Sequence, residues 1–131
     1  MFKVMAIENK AEQERLCSVC STQFITDSFA YATYDVESAD DITGEIIAVC
    51  QFSFMGKTVI HALSPAPGRE EDEAVLILGF AVLEFLRRCG FQSVTADKTA
   101  FTLHTALRLG FMSTGEEYTL DLTKGRACGG H

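Results

Sequence analysis

Cys17-x-x-Cys20 and Cys128-x-x-His131 are the spacings in this chain that speak most directly of chemistry, because three thiolates and an imidazole can close a tetrahedral zinc site. The first pair, however, lies in a run of good helix formers and lacks the glycines and prolines of a metal knuckle. The second pair lies in a glycine-rich tail. The expectation is therefore no bound metal and no thioredoxin-like redox chemistry. Five cysteines are an odd number in a chain that is 47% hydrophobic and needs no covalent staple, so reduced thiols are expected. Cys50 and Cys89 read as small core hydrophobes. His61 and His104 carry imidazoles whose ordinary pKa, about 6.5, suits proton transfer. No Gly-x-Ser-x-Gly pattern accompanies them, so a hydrolase triad has no support. Glu70, Glu71, Asp72 and Glu73 form an acidic run just ahead of an apolar segment, where they suit the positive end of a helix dipole.

The elements that would position these residues can be read from periodicity. Residues 2–7 are β-capable. Glu8–Phe24 reads as a helix with an apolar face formed by Ala11, Leu16, Val19, Cys20 and Phe24. Residues 29–37 are spaced for a strand, with Tyr31 and Tyr34 packing on neighbours. A polar acidic loop at 38–43 and Gly44 lead to a second strand, Glu45–Phe54. Met55-Gly56-Lys57 is a hairpin connection, and Thr58–Leu63 is a further strand. Ser64-Pro65-Ala66-Pro67-Gly68 breaks the pattern. Residues 70–89 then form a helix so apolar that it must be buried nearly all round, ended by Gly90. A short strand at Phe91–Ala96, a helix at Phe101–Leu109 ended by Gly110, and a strand at Glu117–Leu122 complete the order β-α-β-β-β-α-β-α-β. Thr99 reads as the cap of the last helix. One domain is expected over residues 1–122, with a loose tail over 123–131.

A net charge of −7 disfavours nucleic acid and anionic membranes as partners, and the densest basic segment is only Arg87-Arg88. No apolar run approaches the roughly 18–20 residues of a membrane span. The opening residues are too short for the apolar core of a signal peptide, so a cytoplasmic location is expected.

Two patterns, in this order and setting, resemble the GCN5-related N-acetyltransferases (GNAT). One is Ile60-His61-Ala62-Leu63 followed by a proline and Arg69-x-x-Asp72-x-Ala74, which is similar to the family's pyrophosphate signature [Arg/Gln]-x-x-Gly-x-[Gly/Ala]. The other is Leu103-His104-Thr105-Ala106-Leu107-Arg108-Leu109-Gly110-Phe111, similar to the family's last helix with its Gly-Phe ending. With the strand order, the likeness spans roughly residues 2–122. It implies an α/β fold with a mixed, mostly antiparallel sheet and helices on both faces.

The resemblance also implies an activity: transfer of an acetyl or other acyl group from acyl-CoA to a small-molecule or peptide amine. A homodimer whose sheet edges pair, with any activity composite, is a further option. Backbone N–H groups at the helix start would hold the pyrophosphate, which places Arg69, Glu70, Glu71, Asp72, Glu73 and Ala74 at that site. Thr99 falls where the family carries an asparagine. A strand-four N–H, at Leu63 or at Pro65 according to register, would polarise the thioester; proline has no N–H to give. His61 stands where a base is found, and His104 or Tyr118 could supply the acid that the family takes from a tyrosine, which is Ala106 in this chain. The acidic run departs from the motif: a carboxylate about 5–6 Å from a phosphate costs on the order of 1–3 kcal/mol. Two functions are thus open, an N-acyltransferase with an altered pyrophosphate turn, and a non-catalytic module of the same fold that binds a small molecule or a protein.

Overall fold

The computed structural model of the chain describes residues 1–41 and 44–123. Its elements are β1 (Phe2–Ile7), α1 (Lys10–Val19), β2 (Phe29–Asp35), β3 (Glu45–Ser53), β4 (Val59–Pro65), α2 (Glu73–Arg88), β5 (Ser93–Asp97), α3 (Leu103–Leu109), β6 (Met112–Thr114) and β7 (Glu117–Asp121). The strands form one seven-stranded sheet in the order β1-β2-β3-β4-β5-β7-β6. Every pairing is antiparallel except β4 with β5.

Several boundaries differ from the sequence reading, each for a local reason. α1 ends at Val19, five residues before Phe24, because Ser21 turns to φ 57° and the Thr22 N–H closes back on the Cys17 carbonyl. This is the usual αL helix stop with serine where glycine is commoner. α2 starts at Glu73 and not at 70, because the Asp72 carboxylate accepts the Ala74 N–H at 2.9 Å and sets the start of the helix. α3 starts at Leu103, capped by Thr102 and not by Thr99. β4 runs on through Pro65. β6, which the sequence reading lacked, consists of three exposed residues held by pairing to β7.

The apolar residues of the sheet serve two clusters. Along β2, Ala30, Ala32 and Tyr34 pack with Leu16, Cys17 and Cys20 of α1, while Tyr31 packs toward Phe52 and Phe85 with the cluster of α2. This is the two-residue alternation of a sheet covered on both faces. α2 buries Val75, Leu78, Val82, Leu83 and Leu86. Deleting one such leucine side chain costs about 2–5 kcal/mol. Phe101, Phe111 and Tyr118 form a ring cluster beneath α3.

Candidate functional site

β4 and β5 run together for two registered pairs, Val59 with Thr95 and Ile60 with Ala96, and then part. At that point β4 carries a bulge. Gln51 of β3 faces Ala62 and Phe52 faces Ile60, which leaves His61 as the extra residue. Bulges re-aim side chains, and His61 turns into a cleft of about 360 Å³ where the strands separate. Its walls are Gln23 and Ile25 from the segment after α1, Ala62 of β4, and Asp97 and Thr99 at the end of β5. His61 Nε2 shares a 2.8 Å hydrogen bond with Ser53 Oγ. Burial holds the His61 pKa below its ordinary value, so the ring is neutral at pH 7.

Asp97 is the one acidic or basic group besides His61 among the residues lining this cleft. Its Oδ1 accepts from the Thr99 N–H at 2.9 Å and from the Thr99 hydroxyl at 2.8 Å, and these bonds hold its carboxyl below the usual range. Thr99 thus lines the cleft and fixes its carboxylate. Cleft and carboxylate together favour a ligand that carries positive charge.

The backbone donors of the opening are in use. The Leu63 N–H donates to the Ala100 carbonyl at 2.9 Å. Successive N–H groups along a strand point to alternate neighbours, so the next donor toward β5 would belong to Pro65, which has none.

The turn before α2 is self-satisfied in part. Asp72 Oδ1 takes the Ala74 N–H, while the Gly68 N–H donates to Glu70 Oε2 at 3.3 Å. The Arg69 and Asp72 N–H groups donate to the carbonyls of Ala66 and Arg69. The Arg69 guanidinium lies 2.9 Å from Asp72, 3.4 Å from Asp35 and 3.4 Å from Glu45, and these carboxylates raise its pKa. Glu73 pairs with Arg108 at 3.1 Å. The N–H groups of Gly68, Arg69, Asp72 and Ala74 and the Arg69 cation are thus met by the chain's own oxygens, those of Glu70, Glu71 and Glu73 are not, and Glu70 and Glu71 add exposed negative charge. A pyrophosphate here would have to displace Asp72 from the Ala74 N–H and compete with three carboxylates for Arg69.

The remaining candidates lie elsewhere. His104 is exposed on α3 and outside the cleft. Tyr118 is buried on β7, its ring stacked on Phe101 at 5.5 Å and capped by the Lys98 ammonium at 5.0 Å. Neither is brought to His61. Cys17 and Cys20 are free thiols in the α1 cluster, where burial pushes the Cys20 pKa to about 11. Cys128 and His131 lie outside the described residues. Cys50 is fully buried as expected, but Cys89 is exposed at the end of α2 and is not a core residue.

Among the site residues, sequence reasoning missed Asp97, Ser53, Asp35 and Glu45. Asp97-x-Thr99 at a strand end is a side-chain turn that could have been read. The others are joined to their partners only by the folding of the sheet.

No family model and no curated protein matches the sequence. Solved structures do match, over nearly the whole chain. A GNAT-family protein from Desulfovibrio desulfuricans is 12% identical with a TM-score of 0.67, over 93% of this chain and 99% of that one. A dodecameric spermidine N-acetyltransferase from Vibrio cholerae is 7% identical with a TM-score of 0.72, over 98% of each chain. The KacTA–DNA complex is matched at 11% identity with a TM-score of 0.67, again over 98% of each chain. At such identities the likeness is one of fold: the chain has the GNAT fold, as the strand order, the β4–β5 parting and the helix placement state independently.

Proposed function

We propose that this chain is a GNAT-fold domain that binds a small amine in the His61 cleft and does not turn over acyl-CoA. The observation that carries the reading is the turn before α2, where Asp72 occupies the Ala74 N–H and three carboxylates surround Arg69. Coenzyme A would have to displace those carboxylates with its own phosphates, beside Glu70, Glu71 and Glu73. The cleft, in contrast, is open. It offers a neutral imidazole as acceptor for an ammonium N–H and a carboxylate with one oxygen fixed by Thr99. Calorimetric titration tests this. Acetyl-CoA gives no heat up to millimolar concentration, and in a parallel NMR titration 1-aminobutane shifts the His61 ring resonances. Acetyl-CoA binding at micromolar concentration, together with acetylation of an amine, overturns the reading.

A second reading, N-acyl transfer, is favoured by the early end of the β4–β5 ladder and by a histidine there that is free of charge and able to take a proton. It requires Ala100 to leave the Leu63 N–H and Asp72 to leave the Ala74 N–H. Turnover separates the two: acetylation of an amine by the wild type supports transfer, and none by the wild type or by Asp72→Gly supports binding alone.

A further inference from the structure

Gln13, Ser28 and Gln51 are polar residues with 1%, 2% and 0% exposure. An apolar side chain at position 51 would bury without needing partners. The glutamine finds them in a specific way. Its Oε1 accepts from the Ile25 N–H at 3.0 Å and from Gln13 Nε2 at 2.9 Å, and its Nε2 donates to the Gln23 carbonyl at 2.7 Å. Reversing the amide would set its NH2 against two donors, so the network allows one orientation. Gln13 Nε2 also donates to the Ser28 hydroxyl at 2.9 Å, which donates in turn to the Ile25 carbonyl at 2.7 Å. Lys10 Nζ closes the set by donating to the Ser28 carbonyl and to Gln13 Oε1.

The two backbone groups bound by Gln51, the Gln23 C=O and the Ile25 N–H, belong to a segment that is neither helix nor strand. One accepts and one donates, which is what a neighbouring strand would offer. Thr22, Gln23 and Ile25 of that segment line the His61 cleft. We infer that Gln51 is a positioning residue: its side-chain amide replaces a missing strand neighbour and fixes residues 22–25 as the wall of the His61 cleft. The network's product is the shape of that wall, which stands whether the cleft binds an amine or supports acyl transfer.

The test uses Gln51→Met, which keeps the length and removes the amide. With the wall released, His61 is less buried, and its titration midpoint by NMR rises toward the ordinary value of about 6.5. Asp97 lines the cleft in both proteins, so its charge does not produce the difference. Hydrogen exchange at residues 22–25 speeds by about tenfold, as expected for the loss of two buried hydrogen bonds. Leu86→Ala, which lowers stability on the α2 side, leaves the His61 midpoint where it is. Gln51→Glu keeps the acceptor for the Ile25 N–H but loses the donor to Gln23, and speeds exchange at residues 22–25 by less than Gln51→Met does. An unchanged midpoint and unchanged exchange in folded Gln51→Met overturn the inference. So does failure of both variants to fold, since that would make Gln51 a support of the core and not of the wall.

Discussion

Asp72 holds the Ala74 N–H with one oxygen and Arg69 with the other, so a single side chain removes both an amide and a cation from any incoming phosphate. Replacing an aspartate cap by glycine costs a helix only a few tenths of a kcal/mol. Asp72→Gly therefore leaves the fold in place while freeing the amide and lifting one charge from the turn. Removing a carboxylate at that range is worth about 1–3 kcal/mol to a phosphate. Acetyl-CoA affinity by calorimetry should then rise about tenfold or more. If wild type and variant bind equally poorly, the block lies elsewhere, in the carboxylates that remain around Arg69 or at the Leu63 N–H. His61 makes a separate prediction. Burial lowers its folded pKa, so the unfolded chain binds the extra proton first as pH falls. Its contribution to stability is whole above the unfolded value of about 6.5 and is lost as pH falls through the folded one. The melting temperature of the wild type should thus drop more between pH 7 and pH 5 than that of His61→Gln, which has no such proton to bind. Equal slopes for the two proteins would show that His61 is not desolvated.

Elements were legible in the sequence where they carry their own pattern. α2 was readable because its apolar residues run nearly unbroken to Gly90, whose φ of 92° only glycine adopts freely. The β3–β4 hairpin was readable from Gly56, whose φ is 91°. Boundaries set by a capping side chain were not. Asp72 sits inside a run of four acids, and nothing in the run itself says which of them caps the helix. β6 was invisible for another reason: Met112, Ser113 and Thr114 are all exposed and become a strand only by pairing with Thr119, Tyr118 and Glu117. The site divides the same way. Of the residues that line the cleft, His61 was named from residue type and strand position, and Thr99 from the place where the family carries an asparagine. Gln51 could not be found, because Gln13 and Gln23 lie 38 and 28 residues away and a buried amide network leaves no period in a sequence. Tyr118 misled in the other direction. It lies on the strand where an acid was wanted, but pairing with Ala96 turns its ring onto Phe101.

At the scale of the whole molecule, the question is what a net charge of −7 leaves available to a partner. One structure of the same fold is a complex with DNA, so fold alone does not answer it. The cations do. Of the eleven lysines and arginines, all but Lys124 and Arg126 fall among the described residues. Arg15, Lys57, Arg69, Arg87, Arg88 and Arg108 each lie within 4 Å of a carboxylate. Lys3 and Lys10 donate to backbone carbonyls, and Lys98 donates to Ser113 while lying over the Tyr118 ring. Duplex binding draws its affinity from cations that neutralise phosphates and release counterions. A cation already paired with a carboxylate brings no net charge to that exchange, and Glu70, Glu71 and Asp97 would oppose it. Fluorescence anisotropy with a labelled DNA duplex should accordingly show no binding at micromolar protein in physiological salt. Lowering the salt should not rescue it, because screening then hides less of the acidic surface. Saturable binding that strengthens as salt falls would mean that the chain presents a basic face its ion pairs do not reveal.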